Sequence, residues 1–211
     1  MSEALPLLPL SGVFLFPESV LPVRLRHPGL GRLMEDLVRD RGADLVVATL
    51  EPTSDPDPAT SPVHPLAGLG RLRKAVRRSD GDWNLVVEGR SRARILEELP
   101  SGDQGYRRVV VMPLPEPEPP RELREELCPA LRDALESRAG IELPYSHDCS
   151  PGHLADMLVL HLPLDFEGRR RLFTIVDPET RARRALSTHD RLPPTAGRGP
   201  SGTDPDRTGL N

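Results

Sequence analysis

Four residues could bring metal or thiol chemistry to this chain: Cys128, His147, Cys149 and His153. Structural zinc is held by four ligands whose cysteines come in short, regular pairs. Here the last three share one short segment at irregular spacing, and His153 stands just inside a helix start. The pattern predicts loop and capping roles for them and no metal. A nucleophile pair of Cys149 with a histidine would have to be assembled by the fold rather than by sequence proximity. No glycine-rich turn accompanies it to supply an oxyanion hole. Two cysteines are too few for a disulfide framework.

Lys74 is the sole lysine, and it lies between Arg73 and Ala75. Phosphate binding by a P-loop needs a glycine-rich run ending in Gly-Lys-Ser/Thr, because backbone N–H groups and the lysine cradle the phosphates together. No such run exists in the sequence. A Ser-Lys dyad needs a positioned lysine base, and Lys74 sits among arginines in a strand-rich region. The expectation is therefore a chain with no catalytic residue, no cofactor and no enzymatic turnover.

The other cations are arginines. Arg71, Arg73, Lys74, Arg77 and Arg78 precede a turn, and Arg90, Arg92 and Arg94 follow it. Strand alternation places the last three on one exposed face, and the Arg71–Arg94 region as a whole could serve as a basic face for RNA. Against that reading, Trp83 is the only tryptophan, so little is offered for base stacking. Glu88, Glu97 and Glu98 dilute the patch, and the net charge of the chain is −4, whereas a nucleic-acid footprint is usually strongly basic. Arg169, Arg170, Arg171, Arg181, Arg183 and Arg184 read as solvated helix faces near helix C-termini, where cations are favoured. Among apolar residues, Phe14 and Phe16 in the segment Val13–Val20 are candidates for contacting a partner. The competing reading is that they fill the core.

These residues must be positioned by elements that the pattern outlines. Leu5–Leu10 is a short strand with Pro6 and Pro9, which suits an edge or a strand entry. Val13–Phe16 and Val20–Leu25 follow as strands, the first ending at Pro17 and the second bounded by His27, Pro28 and Gly29. Leu30, Leu33, Met34, Leu37 and Val38 fall on one face of a helix, with Gly42 placed to close it. Leu45–Leu50 reads as a buried strand, and Pro52–Pro65 as a loop. Ser79-Asp80-Gly81-Asp82 marks a turn between Leu72–Val76 and Trp83–Val87. Gly89 then breaks the run before the alternating segment Arg90–Ile95, and Arg107–Met112 is the last strand. Pro113–Pro120 holds five prolines and reads as a stiff connector outside any sheet. Helical patterns follow: Leu123–Leu135 around Pro129, a helix capped by Ser150 and Pro151, one over Asp165–Thr174, and one opened by Asp177-Pro178-Glu179. After Leu192 the composition is that of a disordered tail.

The expected architecture is α+β: a mainly-β lobe with one helix over 1–113, a helical lobe over 114–192 and a tail over 193–211. The N-terminal residues lack a basic, long-apolar leader, and no apolar run is long enough for a membrane span, so a cytoplasmic location is expected.

The order of motifs resembles the N-terminal, substrate-binding domain of Lon proteases. The leucine-proline opening is Leu7-Leu8-Pro9-Leu10, followed by Val13-Phe14-Leu15-Phe16-Pro17-Glu18-Ser19-Val20-Leu21-Pro22. The glycine-led strand start is Gly68-Leu69-Gly70, and the most specific signature is Val87-Glu88-Gly89-Arg90-Ser91-Arg92-Ala93-Arg94-Ile95. The helical motif is Leu154-Ala155-Asp156-Met157-Leu158 through His161-Leu162-Pro163-Leu164. The resemblance runs from about Leu5 to Leu186. It implies a PUA-like pseudo-barrel followed by a helix bundle. It also implies recognition of protein substrates or partners, standing without the ATPase and protease parts. The groove between the lobes and the Val13–Val20 segment are the places such contact would be made, with flanking arginines adding weak, salt-sensitive attraction. An RNA-binding PUA-like protein is the alternative.

Overall fold

The structure is a computed structural model that describes residues 4–26, 30–40, 43–54, 56–100, 104–139 and 149–193. It is a mixed α+β chain with a six-stranded sheet and, among the described residues, five helices. It divides into two compact units, the first running to Pro115 and the second beginning at Glu116.

In the first unit the elements run β1 (Leu5–Leu10), β2 (Val20–Leu25), α1 (Gly31–Arg39), β3 (Asp44–Thr49), β4 (Leu66–Arg77), β5 (Trp83–Leu99) and β6 (Arg108–Leu114). The sheet order is β2-β5-β4-β3-β1-β6, with β5 also paired to β6. Hence β5, β4, β3, β1 and β6 form a closed cycle of pairings, and β2 extends outward from the first half of β5. The pairing of β1 with β3 is parallel, and the others are antiparallel.

Strand alternation sorts the apolar residues into two clusters. One draws on every strand of the cycle: Leu7 from β1, Val46 and Ala48 from β3, Ala67 from β4, Ala93 from β5, and Val109 and Val111 from β6. Three of these seven are alanines, which suits a narrow interior. The other cluster joins Leu8, Leu10, Leu45, Val47, Leu72, Leu85 and Val87 to Leu33, Met34 and Leu37 of α1. Strands β1 and β3 are thus buried on both faces, which is why they read as nearly unbroken apolar runs. Each fully buried leucine of α1 contributes roughly 2 kcal/mol by leaving water. Val38, expected on the same face, is 41% exposed. The helix closes at Asp40. Gly42 lies outside the described residues, as do His27, Pro28 and Gly29.

Several boundaries differ from the sequence expectation. Val13–Phe16 joins no ladder. Gly89 does not end a strand: β5 runs through it, and the pairing with β4 shifts beside it. Pro113 belongs to β6, opposite Ala93. Beyond Val109 the register of β6 is with β5 alone, so proline's missing N–H falls on a side with no ladder to break.

The described elements of the second unit are α2 (Arg121–Ala139), α3 (Pro151–His161), α4 (Phe166–Phe173) and α5 (Pro178–Arg191). Ser150 caps α3 by accepting from the His153 N–H at 3.1 Å. Asp165 and Asp177 cap α4 and α5 by accepting from Gly168 and Thr180, each at 2.7 Å. Helix α2 continues past Pro129. Leu127, Leu131 and Leu135 of α2 share a buried core with Leu154, Leu158 and Val159 of α3 and with Ala182 and Ala185 of α5.

Candidate functional site

The signature glycines explain how the first unit holds its N-terminal crossing segment. Residues Val13 to Ser19 pass over the β4–β5 hairpin so closely that side chains would not fit beneath them. A Cβ on Gly68 would strike the Leu15 backbone, one on Gly70 would lie 2.6 Å from the Leu15 side chain, and one on Gly89 would strike the Phe16 carbonyl. The segment is also tied by hydrogen bonds. Glu18 N–H donates to the Gly89 carbonyl at 2.9 Å, and Gly89 N–H donates to the Ser19 carbonyl at 2.8 Å. Ser19 Oγ donates to the Phe16 carbonyl at 2.7 Å. Pro17 and Glu18 occupy the centre of a turn, and Glu18 takes φ +58°. Proline first and a positive φ second is the type II pattern.

This packing decides three of the five residues proposed for partner contact. Phe14 is 6% and Phe16 0% exposed, so both are core residues and offer no surface to a partner. Arg92 is 1% exposed and lies over the Phe16 ring, 5.6 Å from its centroid. The expectation of one exposed face carrying Arg90, Arg92 and Arg94 is therefore corrected. The register moves from Gly70 opposite Gly89 to Leu69 opposite Ser91, leaving Arg90 as the extra residue of a bulge. A bulge breaks the two-residue alternation on which that expectation rested. Arg92 then pairs with Gly68, which has no side chain to compete for the space. Arg90 and Arg94 remain exposed.

Strand β2 supplies surface that the aromatic residues do not. Leu21, Val23 and Leu25 face the core, while Val20 is 64% exposed and Pro22 is exposed as well. Pro22 lies opposite Val86, which lies opposite Lys74, and two residues further along β4 Val76, 45% exposed and opposite Asn84, comes to the same side. Val20, Pro22, Val86 and Val76 thus form an apolar strip across β2, β5 and β4. The alternation of Val-Leu-Pro-Val-Arg-Leu was the available signal for it.

The cations around this strip are largely engaged. Arg73 pairs with Glu88, Arg71 with Asp44 at 2.8 Å, and Arg24 with Asp82 at 3.0 Å and Asp80 at 3.2 Å. The hydrogen bond from Arg73 holds the Glu88 carboxyl below its ordinary range. That from Arg78 does the same for Asp80. Carboxylates interleave with arginines across the whole Arg71–Arg94 region, so its field is much weaker than the arginine count implies.

The second unit holds a buried ion cluster that the charge pattern did not announce. Arg181, expected on a solvated helix face, is 0% exposed. Its guanidinium lies 2.8 Å from the Asp156 carboxylate, pairs with Glu116, and donates to the carbonyls of Ile175 at 2.8 Å and Val176 at 3.1 Å. The physical reason is that α5 turns this one arginine inward, where two carboxylates and two free carbonyls meet its planar donors. Gly152 leaves the necessary room, since a Cβ there would strike Glu116 and come within 2.9 Å of Arg181.

Arg138 closes the other end of α5. It donates to His189 Nδ1 at 2.9 Å and to the carbonyls of His189, Leu192 and Pro193 at 2.9, 3.2 and 2.7 Å. Burial first, and the Arg138 charge second, push the His189 pKa below its ordinary value. The folded protein therefore favours neutral His189, whereas the unfolded chain takes up the proton at about pH 6.5. Stability from this group is complete above that pH and falls as the pH drops from there toward the folded value. We expect the urea midpoint to decline between about pH 7.5 and 5.5. His189→Gln, which keeps an acceptor but does not titrate, should flatten that decline; an unaltered slope would show that His189 is not its source.

Among the described residues there is no cluster of three or more His, Cys, Asp or Glu side chains that could hold a metal ion. His147 lies outside the described residues. His153 is in the first turn of α3, and the Cys128 thiol donates to the Cys149 carbonyl at 3.6 Å. No helix among the described residues is long and apolar enough to cross a membrane.

The family model described as the ATP-dependent protease La (Lon) substrate-binding domain matches residues 4–190. Among curated relatives, Lon protease 2 of Desulfotalea psychrophila is 28% identical over 185 residues, covering 83% of this chain and 23% of the relative. Lon protease 1 of Thermus thermophilus is 27% identical over 194 residues, covering 87% of this chain and 24% of the relative. The chain thus spans about a quarter of the length of the curated relatives it matches. Two solved structures share the fold. The N-terminal domain of Mycobacterium avium complex Lon protease has a TM-score of 0.68 at 20% identity, covering 90% of this chain and 100% of that one. The Lon N-terminal domain protein from Xanthomonas campestris has a TM-score of 0.63 at 21% identity, covering 88% and 98%.

Proposed function

The chain belongs to the ATP-dependent protease La (Lon) substrate-binding domain family, and from that membership we propose that it is a non-enzymatic, cytoplasmic protein-binding module. It engages protein substrates or partner proteins with no ATP hydrolysis or proteolysis of its own. The observation that carries this reading is the family match across residues 4–190. The cycle of strand pairings in the first unit supports a PUA-like pseudo-barrel there, and the helices of the second unit support a helical lobe after it.

For the contact surface we propose the strip of Val20, Pro22, Val86 and Val76, with Arg90 and Lys74 beside it. Exposed apolar side chains with a polar rim are what an extended, apolar polypeptide segment would cover. The exposed arginines then add an attraction that salt weakens. This assigns the apolar contact to three valines and a proline of the sheet and not to Phe14, Phe16 or Arg92, which are buried.

The test is crosslinking and affinity measurement with a permanently unfolded polypeptide. Binding is expected, and Val20→Asp together with Val76→Asp should weaken it about tenfold or more, since apolar contacts at an interface centre are typically worth over 1 kcal/mol. Absence of polypeptide binding, alongside tight RNA binding whose salt slope falls in the Arg90→Ala/Arg94→Ala variant, would replace this reading with the RNA-binding one.

A further inference from the structure

Strand β2 lies at the end of the sheet order and, among the described residues, pairs with β5 alone. Its other edge carries backbone groups that no ladder uses, and the register says which they are. One step before the pair Val20–Glu88, Ser19 stands opposite Gly89, and its carbonyl accepts from the Gly89 N–H at 2.8 Å. Bonded and non-bonded positions alternate along an antiparallel pair. Leu21, Val23 and Leu25, opposite Val87, Leu85 and Trp83, therefore turn their N–H and C=O groups toward β5. Val20 and Pro22 turn theirs away. Proline fits that assignment, because it has no N–H to give and stands where β5 asks for none. Val20 thus presents a donor and an acceptor to the open edge, and Pro22 presents an acceptor only.

We infer that a partner polypeptide binds here by edge addition: an extended segment, apolar at alternate residues, lies antiparallel beside β2 as an added strand. The inference rests on the protein-binding reading above and gives it a mode. The unused groups are backbone groups, so what pairs with them is another extended backbone. The residue opposite Val20 exchanges two hydrogen bonds with it, and the residue opposite Pro22 donates one to its carbonyl. Opposed residues share a face of the sheet. Those residues of the segment therefore lie on the face where Val20 is 64% exposed and Pro22 is exposed, beside Val86 and Val76. Apolar side chains at alternate positions cover that strip, while the backbone bonds ask of the sequence only that proline be absent from the donor positions. A second copy of this chain is a poorer occupant. Two β2 edges pairing with each other would bring a proline from each side and forfeit two donors, whereas an incoming segment without proline forfeits one. Pro22 thus guards the edge against self-association and leaves it open to other chains.

The experiment uses the full chain and short peptides that alternate valine and threonine. With the valines on the strip, their N–H groups point at β2 and those of the threonines point away. N-methylation of the valines should weaken binding about tenfold or more, through lost donors and crowding. N-methylation of the threonines should leave it within about twofold of the parent peptide. Amide exchange at Val20, read by NMR, should slow when the unmethylated peptide binds. Pro22→Val restores the missing donor, and should bind that peptide about fivefold tighter and self-associate in sedimentation. Equal affinity of the two methylated peptides, with Val20 exchange unchanged in the complex, would overturn edge addition and leave the protein-binding reading standing. So would binding of an unfolded polypeptide without binding of the peptide, or a folded Pro22→Val variant that binds no tighter. A chain that binds neither the peptide nor an unfolded polypeptide would remove both.

Discussion

Replacing Gly89 by alanine is expected to cost about 3 kcal/mol or more and to leave the first unit partly or wholly unfolded. The added methyl would meet the carbonyl oxygen of Phe16, with the carbonyl carbon 2.9 Å and Leu15 Cγ 3.3 Å away. These are mainly backbone atoms, so no side chain can swing aside to make room. Nor can Gly89 itself retreat. Its N–H and its carbonyl are both committed, to Ser19 and Glu18, on the segment it would have to move away from. Separation would give up two hydrogen bonds at about 1 kcal/mol each and loosen Leu15 and Phe16, whose repacking costs about 1–3 kcal/mol more. Gly31→Ala is the control, since a Cβ there meets nothing within 4 Å. It lies in the first turn of α1 and should be neutral or stabilising by up to about 1 kcal/mol. Urea denaturation reads both variants. A Gly89→Ala midpoint equal to wild type would show that the crossing segment is not pinned as described.

Arg181→Met is expected to destabilise the second unit by about 3–5 kcal/mol. The change keeps most of the side-chain length and removes the charge. It leaves the Asp156 carboxylate, 1% exposed, without the guanidinium 2.8 Å away, and strips donors from the carbonyls of Ile175 and Val176. Most of the cost lies in what is left behind in the core, because an uncompensated buried charge is far more expensive than an intact pair is stabilising. The second substitution of a double-mutant cycle isolates that cause. Adding Asp156→Leu to Arg181→Met should recover at least about 1 kcal/mol, because the orphaned carboxylate is gone. Strictly additive losses would refute the account and assign the cost to packing. Arg181→Lys should restore little, since an ammonium cannot serve two carboxylates and two carbonyls with a planar fork.

Gly89 of the first prediction and Asp156, the partner in the second, lie inside motifs that the sequence already displayed. Gly89 and Arg92 belong to the Val87–Ile95 signature, and Asp156 to the Leu154–Leu164 segment. Their positions were legible, but their work was not. A glycine in a strand pattern announces a break or a close approach without saying which. Here it is an approach, to a chain segment some seventy residues earlier. The charge run Arg181, Arg183 and Arg184 shows the same limit. Arg183 pairs with Glu126 and Glu179 at the surface, while Arg181, two residues before it, is sealed in the core. Composition cannot separate them, because the difference is which side of α5 faces two carboxylates from other elements.

The sequence by itself determined most of the element types and their order, the Ser150 and Asp177 caps, the family, and the lack of a P-loop lysine. These are local: a cap needs residues three apart, a helix face four, a strand two. The tertiary structure alone decided which exposed-looking residues are exposed. It buried Phe14 and Phe16 within the crossing segment and Arg92 against the Phe16 ring, brought Val20, Pro22, Val86 and Val76 together on three strands, and set the Cys128 thiol on the Cys149 carbonyl. Each outcome depends on register. A single bulge at Arg90 is enough to change which side a strand residue takes, and register is fixed by the sum of distant packing contacts rather than by any residue's neighbours in the chain.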